Sequence, residues 1–226
     1  MIISFYNVYN FQPGIRAVHS TDTCLIHLLD HIKTQSSKGL YTGMVMFDLQ
    51  KAFDTVDHYI LCSKLQTMGV KSTKWFEFYL TDRKQKVSVN GTESNCLTVT
   101  CGVPQGSILG SLLFLYYVND MSISTSSDCK LLLYADDSTF SHRNPDVISE
   151  KLGKELQFCS QWLINNKLSL NLGKTECILF GSKRKLKKAD KFQVIGTCNE
   201  HIITAQSSVK YLGTVWKTIF FKHSPK

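Results

Sequence analysis

Leu131-Leu132-Leu133-Tyr134-Ala135-Asp136-Asp137 decides the reading of this chain, because two adjacent carboxylates follow directly where a short apolar strand runs out. Neighbouring anions at a turn repel each other, and the usual relief is a raised pKa on one of them or a bound divalent cation. Taken alone, the pair is better read as an Asp-rich turn or a helix cap, which is how most such pairs in loops are used. Its meaning depends on the rest of the chain.

A second acidic cluster lies upstream in Val45-Met46-Phe47-Asp48-Leu49-Gln50-Lys51-Ala52-Phe53-Asp54-Thr55-Val56-Asp57-His58. Residues 43–47 read as a short buried strand, so Asp48 stands at a strand end just before a helix, the layout of an active-site edge. A hard cation such as Mg2+ keeps several waters and needs only one or two carboxylates besides substrate phosphates. Asp48 with Asp136 and Asp137 is therefore a sufficient set. Asp54 and Asp57 are better read as the start of a helix through Ile60, Leu61, Leu65 and Met68, closed by Gly69.

Between the clusters, Cys101-Gly102-Val103-Pro104-Gln105-Gly106-Ser107-Ile108-Leu109-Gly110 forms a glycine and proline turn opening onto the apolar helix 112–118. Glycine there permits close approach of another backbone or of a nucleotide, and the helix start behind it favours anions. Three such segments in this order resemble the reverse transcriptase domain of non-LTR retrotransposons, specifically the jockey-like long interspersed elements. The resemblance also takes in Gln12 to Arg16, His19 to Thr21, Asn119-Asp120, Asn166 to Asn171 with Lys174-Thr175, and Tyr211-Leu212-Gly213.

The resemblance implies an α+β fold, the palm of a right-hand polymerase, with 1–42 as partial fingers, 43–180 as palm and 181–226 as a basic segment leading towards the thumb. It implies an RNA-directed DNA polymerase that uses two Mg2+ ions, with Mn2+ as a substitute, on an RNA template, a DNA primer and deoxynucleoside triphosphates. Asp48 and Asp136 take the place of the paired metal ligands, Asp137 that of the supporting carboxylate, and the Leu49 carbonyl completes a metal shell. Phe53 stands where the family has its gate against a ribose 2′-hydroxyl, with packing of an amphipathic helix start as the lesser alternative. Gln105 and Gly106 match the turn touching nucleotide and template. Lys174 matches the basic residue near the triphosphate, with a solvated loop lysine as the alternative. Family members carry an upstream finger arginine and a following thumb that this chain is expected to lack, which leaves an inactive palm relic as the competing reading. Ser111 after Gly110 and Ile15 before Arg16 depart from the family's usual proline and phenylalanine.

Composition agrees in kind. The chain has 226 residues, 43% of them hydrophobic, enough to build a sizeable core, and its net charge of +8 calls for a polyanionic partner. Residues 151–226 hold 14 lysines and arginines against 4 acidic residues, whereas residues 1–150 hold 12 against 14. The basic half is thus the expected nucleic-acid side. Lys183, Arg184, Lys185, Lys187 and Lys188 form the densest run, a backbone-contact patch, a nuclear-import signal or a solvated loop. Arg83 and Lys84, after the aromatic stretch Trp75 to Leu80, are better placed to touch a template, whereas Trp75, Phe76 and Tyr79 read as helix packing. They precede a strand ending in Asn90-Gly91, a hairpin signal. The eight cysteines show no metal-site spacing, and neither a signal peptide nor a membrane span is legible, so a soluble intracellular protein with reduced thiols and no membrane partner is expected.

Overall fold

The computed structural model describes residues 20–124, 130–134, 137–142, 148–182, 186–187, 192–196 and 201–218. At its centre is strand β1, Thr42–Phe47, in which all six residues are buried. A strand with no polar alternation must be covered on both faces, and β1 is. Val45 and Phe47 point into one core, while Met44 and Met46 point into another.

Helix α1, Thr21–Ser37, precedes β1; its first turn is closed by the Ser20 hydroxyl accepting from the Thr23 N–H. After β1 come α2, His58–Thr67, and α3, Thr73–Leu80, then four two-residue strands: β2, Lys84–Gln85; β3, Ser88–Val89; β4, Thr92–Glu93; and β5, Leu97–Thr98. Helix α4, Ile108–Val118, leads to β6, Lys130–Tyr134, and β7, Asp137–His142. Helix α5, Ile148–Asn165, is followed by β8, Glu176–Phe180, and by two hairpins. These are β9, Gln193–Gly196, with β10, His201–Thr204, and β11, Ser208–Tyr211, with β12, Thr214–Lys217.

The main sheet has the order β6-β7-β1-β8, antiparallel throughout. One face is covered by α2, α4 and α5. The other is covered by α1 and the β11–β12 hairpin, through Leu28, Ile32, Val209 and Trp216. Gly43 marks how closely α5 lies on β1, since a Cβ there would sit 2.7 Å from both Ile148 and Leu152. The architecture is α+β, as the sequence implied.

Local signals explain the boundaries. Asp57 caps α2 by accepting from the Ile60 N–H at 3.0 Å, and Gly69 follows that helix in a left-handed conformation, φ +85°. Asn90 and Gly91, at φ +50° and +80°, make the tight turn of the β3–β4 hairpin. The described cysteines 24, 62, 96, 101, 159 and 177 are free thiols. Among the described residues no helix is long and apolar enough to cross a membrane.

Candidate active site

Asp48 directly follows β1 and Asp137 opens β7. Their strands pair with the register Phe47↔Ser138, so one further step sets Asp48 opposite Asp137 at the same end of the sheet. Ala135 and Asp136, which join β6 to β7, lie outside the described residues, and the backbone alone is described for Asp137.

A strap from the segment after α5 holds Asp48 in place. Gln50 N–H donates to the Ser169 carbonyl and Asn171 N–H to the Asp48 carbonyl, both at 2.8 Å, around an antiparallel bridge between Leu49 and Leu170. In such a bridge the peptide groups of the facing pair point away from each other, so the Leu49 carbonyl faces away from the strap. The Asn171 side chain adds a second hold, its Nδ2 donating to Asp48 Oδ2 at 3.2 Å. Lys174 places its ammonium 2.9 Å from the same oxygen; Asp48 is 18% exposed and Lys174 71%.

The next layer is the turn before α4, which docks on the segment after Asp48. Gly102 N–H donates to the Val56 carbonyl at 2.7 Å, and Val103 N–H to the Phe53 carbonyl at 2.8 Å. His58 Nε2 meets the Gly102 carbonyl at 2.8 Å, and Gln105 Nε2 donates to Asp54 Oδ1 at 3.2 Å. Phe53 stacks on Phe114 with ring centroids 4.6 Å apart. Gly106, at φ +78°, has open space where a Cβ would go. Ser107 caps α4 by accepting from the Gly110 N–H at 2.8 Å.

The floor behind this turn is a buried polar knot. Tyr117 is fully buried, donates to the Asn166 carbonyl at 2.6 Å and accepts from the Asp57 N–H at 3.4 Å. Burial pushes its hydroxyl up to about 12. Burial alone would also raise Asp57, but the hydrogen bond and charge of Lys167, with the backbone N–H of Ile60, hold its carboxyl below the usual range. Lys64 is lowered by desolvation, against the opposing pull of Asp120 at 2.6 Å, and lies over the rings of Tyr117 and Trp162.

The structure therefore brings Asp48, Leu49, Asp137 and Lys174 to one edge, with Phe53, Gln105 and Gly106 in the adjoining turn. A cleft of about 380 Å³ opens at that edge between β1, Gly173-Lys174 and the Tyr211-Leu212 turn. Arg83 and Lys84 are exposed and follow α3, and neither lines that cleft. Of the basic run, Lys187 is exposed, whereas Lys183, Arg184, Lys185 and Lys188 lie outside the described residues. The sequence reading assigned no role to Asn171 or Asp54. Asn171 was legible only as part of the matched 166–171 stretch, and Asp54 only as a helix-start residue.

The donor set suits a hard cation. The Asp48 carboxylate and the Leu49 carbonyl, turned away from the strap, both offer oxygen, the ligand that such a cation takes. Among the described residues no group of three or more His, Cys, Asp or Glu is gathered, the set that includes Asp136 lying outside them.

Residues 3–216 match the family described as reverse transcriptase (RNA-dependent DNA polymerase), and the chain belongs to that family. It is 27% identical over 235 residues to the RNA-directed DNA polymerase from mobile element jockey of Drosophila melanogaster, covering 94% of this chain and 24% of that protein. It is likewise 27% identical over 220 residues to the probable RNA-directed DNA polymerase from transposon X-element of the same fly, with the same coverage of each. The jockey-like resemblance therefore stands, and the chain spans about a quarter of the length of these relatives. Among solved structures, telomerase from Candida tropicalis in complex with a fragment of telomeric RNA shares the fold, with a TM-score of 0.61 at 15% identity over 92% of this chain and 35% of that one.

Proposed function

We propose that this chain is the nucleotidyl-transfer domain of a non-LTR retrotransposon's RNA-directed DNA polymerase, with residues 43–180 as its palm, 1–42 as part of its fingers and 181–226 leading to its thumb. The observation that carries this reading is the register that sets Asp48 opposite Asp137, with Asp136 its chain neighbour, at one end of the central sheet. Carboxylates serving two ions about 3.5–4 Å apart must share such a small volume.

Asp48, Asp136, Asp137 and the Leu49 carbonyl would hold two Mg2+ ions, and Mn2+ would serve in their place. When bound, such a pair activates the primer 3′-hydroxyl and offsets charge on the transferring phosphate. The chain's own residues do the rest. Asn171 fixes the Asp48 carboxylate from the side of Oδ2. Phe53, held against Phe114, walls off the position of a ribose 2′-hydroxyl and so selects deoxynucleotides. Gln105, tethered to Asp54, lies along the incoming nucleotide beside Gly106. Lys174, with most of its side chain in solvent, gives a proton to the leaving pyrophosphate. Arg83, Lys84 and the run from Lys183 to Lys188 contact phosphates of the RNA template and DNA primer, and the basic run is compatible with a nuclear destination. Nothing in the comparisons favours the inactive-relic alternative.

The test is primer extension on an RNA template with Mg2+, using the domain joined to complete fingers and thumb. Asp136→Asn should abolish extension while leaving the circular dichroism spectrum and thermal midpoint unchanged. Extension undiminished in Asp136→Asn would overturn the assignment.

A further inference from the structure

We propose that the face of α3 carrying Trp75, Phe78, Tyr79 and Arg83 is a stacking platform for an unpaired nucleic-acid strand. Helix packing is the obvious role for an aromatic helix, but the core side of α3 is supplied by Phe76 and Leu80, which are 0% and 1% exposed. Trp75 is 48% exposed and Phe78 83%. Two large rings are thus left in water by a helix that does not need them for its own burial.

These rings are ordered into a ladder. Trp75 and Tyr79, four apart within α3, lie along one stripe. The Trp75 and Tyr79 rings stack at 5.6 Å and 6° from parallel. Asp82, at φ +54°, turns the chain just after the helix, and the Arg83 guanidinium comes to lie 5.1 Å from the Tyr79 ring centre. Tyr79 thus joins Trp75 and Arg83 into one cluster, with the exposed Phe78 next to it in the chain. A guanidinium plane and aromatic faces in one stack are what a base can extend.

Charge selects the occupant. Lys71, Lys74, Arg83 and Lys84 surround the stripe, all exposed and without an ion pair among the described residues, against Glu77 and Asp82. A second copy of this face would bring four cations against four, and a protein interface core is depleted in lysine. A single strand satisfies both features, with bases on the rings and phosphates on the cations. Every residue from Thr81 to Thr98, the segment that follows α3 and carries β2 to β5, is exposed. The platform meets ring faces and phosphates rather than sugars, so RNA and DNA strands are both accepted. The inference deepens the polymerase reading by placing the unpaired template, and its test measures binding alone.

The full chain is titrated by fluorescence anisotropy against labelled single-stranded oligo(dA) of ~12 nucleotides, within the span one such surface covers, and against an abasic strand with equal phosphates. Wild type should bind oligo(dA) more tightly than the abasic strand. Trp75→Ala and the safely exposed Phe78→Ala should each weaken oligo(dA) binding at least about five-fold, without change for the abasic strand. Lys84→Ala should weaken both strands alike and reduce the salt slope by about one. Equal wild-type affinity for the two strands, or unaltered binding in both aromatic variants, overturns the platform. So does a concentration-dependent dimer that Phe78→Ala dissolves, which would assign the stripe to a contact between copies. Base-dependent binding without primer extension by the completed polymerase would instead count against the polymerase reading and leave the platform standing.

Discussion

Gly102→Ala should destabilise the protein by considerably more than Gly106→Ala, although the two glycines stand four residues apart in one turn with similar backbone angles. Gly102 has φ +91° and Gly106 φ +78°, so each substitution carries about 1–2 kcal/mol for a left-handed alanine. The surroundings differ. A Cβ at Gly102 would lie 2.8, 2.9 and 3.0 Å from the carbonyl oxygen, Cα and carbonyl carbon of Asp54, all backbone atoms that cannot swing aside, whereas one at Gly106 meets nothing within 4 Å. Overpacking of that kind adds about 1–3 kcal/mol. The combined loss at Gly102 is then roughly 2–5 kcal/mol, and at about 2–4 °C per kcal/mol for a chain of this size the midpoint should fall by roughly 4–20 °C. Urea unfolding followed by far-ultraviolet circular dichroism, run in parallel on wild type and both variants, measures the difference. If the two variants agree within about 0.5 kcal/mol, the inferred contact between the turn and Asp54 is wrong. The comparison bears on the site because the same turn carries Gln105 and pairs with Phe53.

Three further outcomes follow from the same geometry. Asn171→Ala should raise the Mg2+ concentration needed for half-maximal extension about ten-fold or more while folding is retained, as for loss of a residue that orients a metal ligand; an unchanged Mg2+ requirement counts against that role. Phe53→Ala should let the completed polymerase accept ribonucleotides, measured as the ratio of kcat/KM for ribo- and deoxynucleotides, and an unchanged ratio would remove the gate assignment. Tyr117 is raised from 10.0 to about 12, so the folded state keeps a proton that the unfolded chain releases; its stabilisation is full below pH 10 and is lost as pH rises towards 12. Wild type should therefore lose about 1.4 kcal/mol relative to Tyr117→Phe between pH 8 and pH 11, read from paired urea titrations, and parallel pH profiles would refute the assignment.

Much of the fold is legible because its signals are local. The apolar run at 43–47 has no polar alternation and is a strand buried on both faces; Asn90-Gly91 turns a hairpin; Asp57 starts α2 and Gly69 follows it. Boundaries shift by a residue or a few where the pattern is apolar on both sides, as in α4, which starts at Ile108 because Ser107 caps it, not at Leu112. The aromatic helix was only partly legible. Hydrophobic spacing identified α3 but could not tell Phe76, which is buried, from Trp75 and Phe78, which are exposed, because all three fit an apolar stripe and only the neighbouring elements choose the inward face.

The acidic edge shows the other limit of sequence reasoning. Asp48 is found by its place at the end of a buried strand, but what fixes its carboxylate arrives from 123 positions later, through Asn171. That meeting depends on the path of the chain: α5 crosses the face of the sheet, lies close on Gly43, and delivers residues 169–171 to the end of β1 just before β8 pairs along it. A short backbone bridge at Leu49 and Leu170 then sets two constraints at once, since Asp48 and Gln50 use their peptide groups towards the strap while Leu49 must turn its own away. A one-residue slip of the strap would turn its own side chains to the opposite face and move the Asn171 amide off Asp48. The buried Leu168 and the Tyr117 hydroxyl bonded to the Asn166 carbonyl, both just before the strap, resist that slip. The register of a three-residue bridge thus depends on a tyrosine in α4 whose hydroxyl bonds the chain five residues before Asn171.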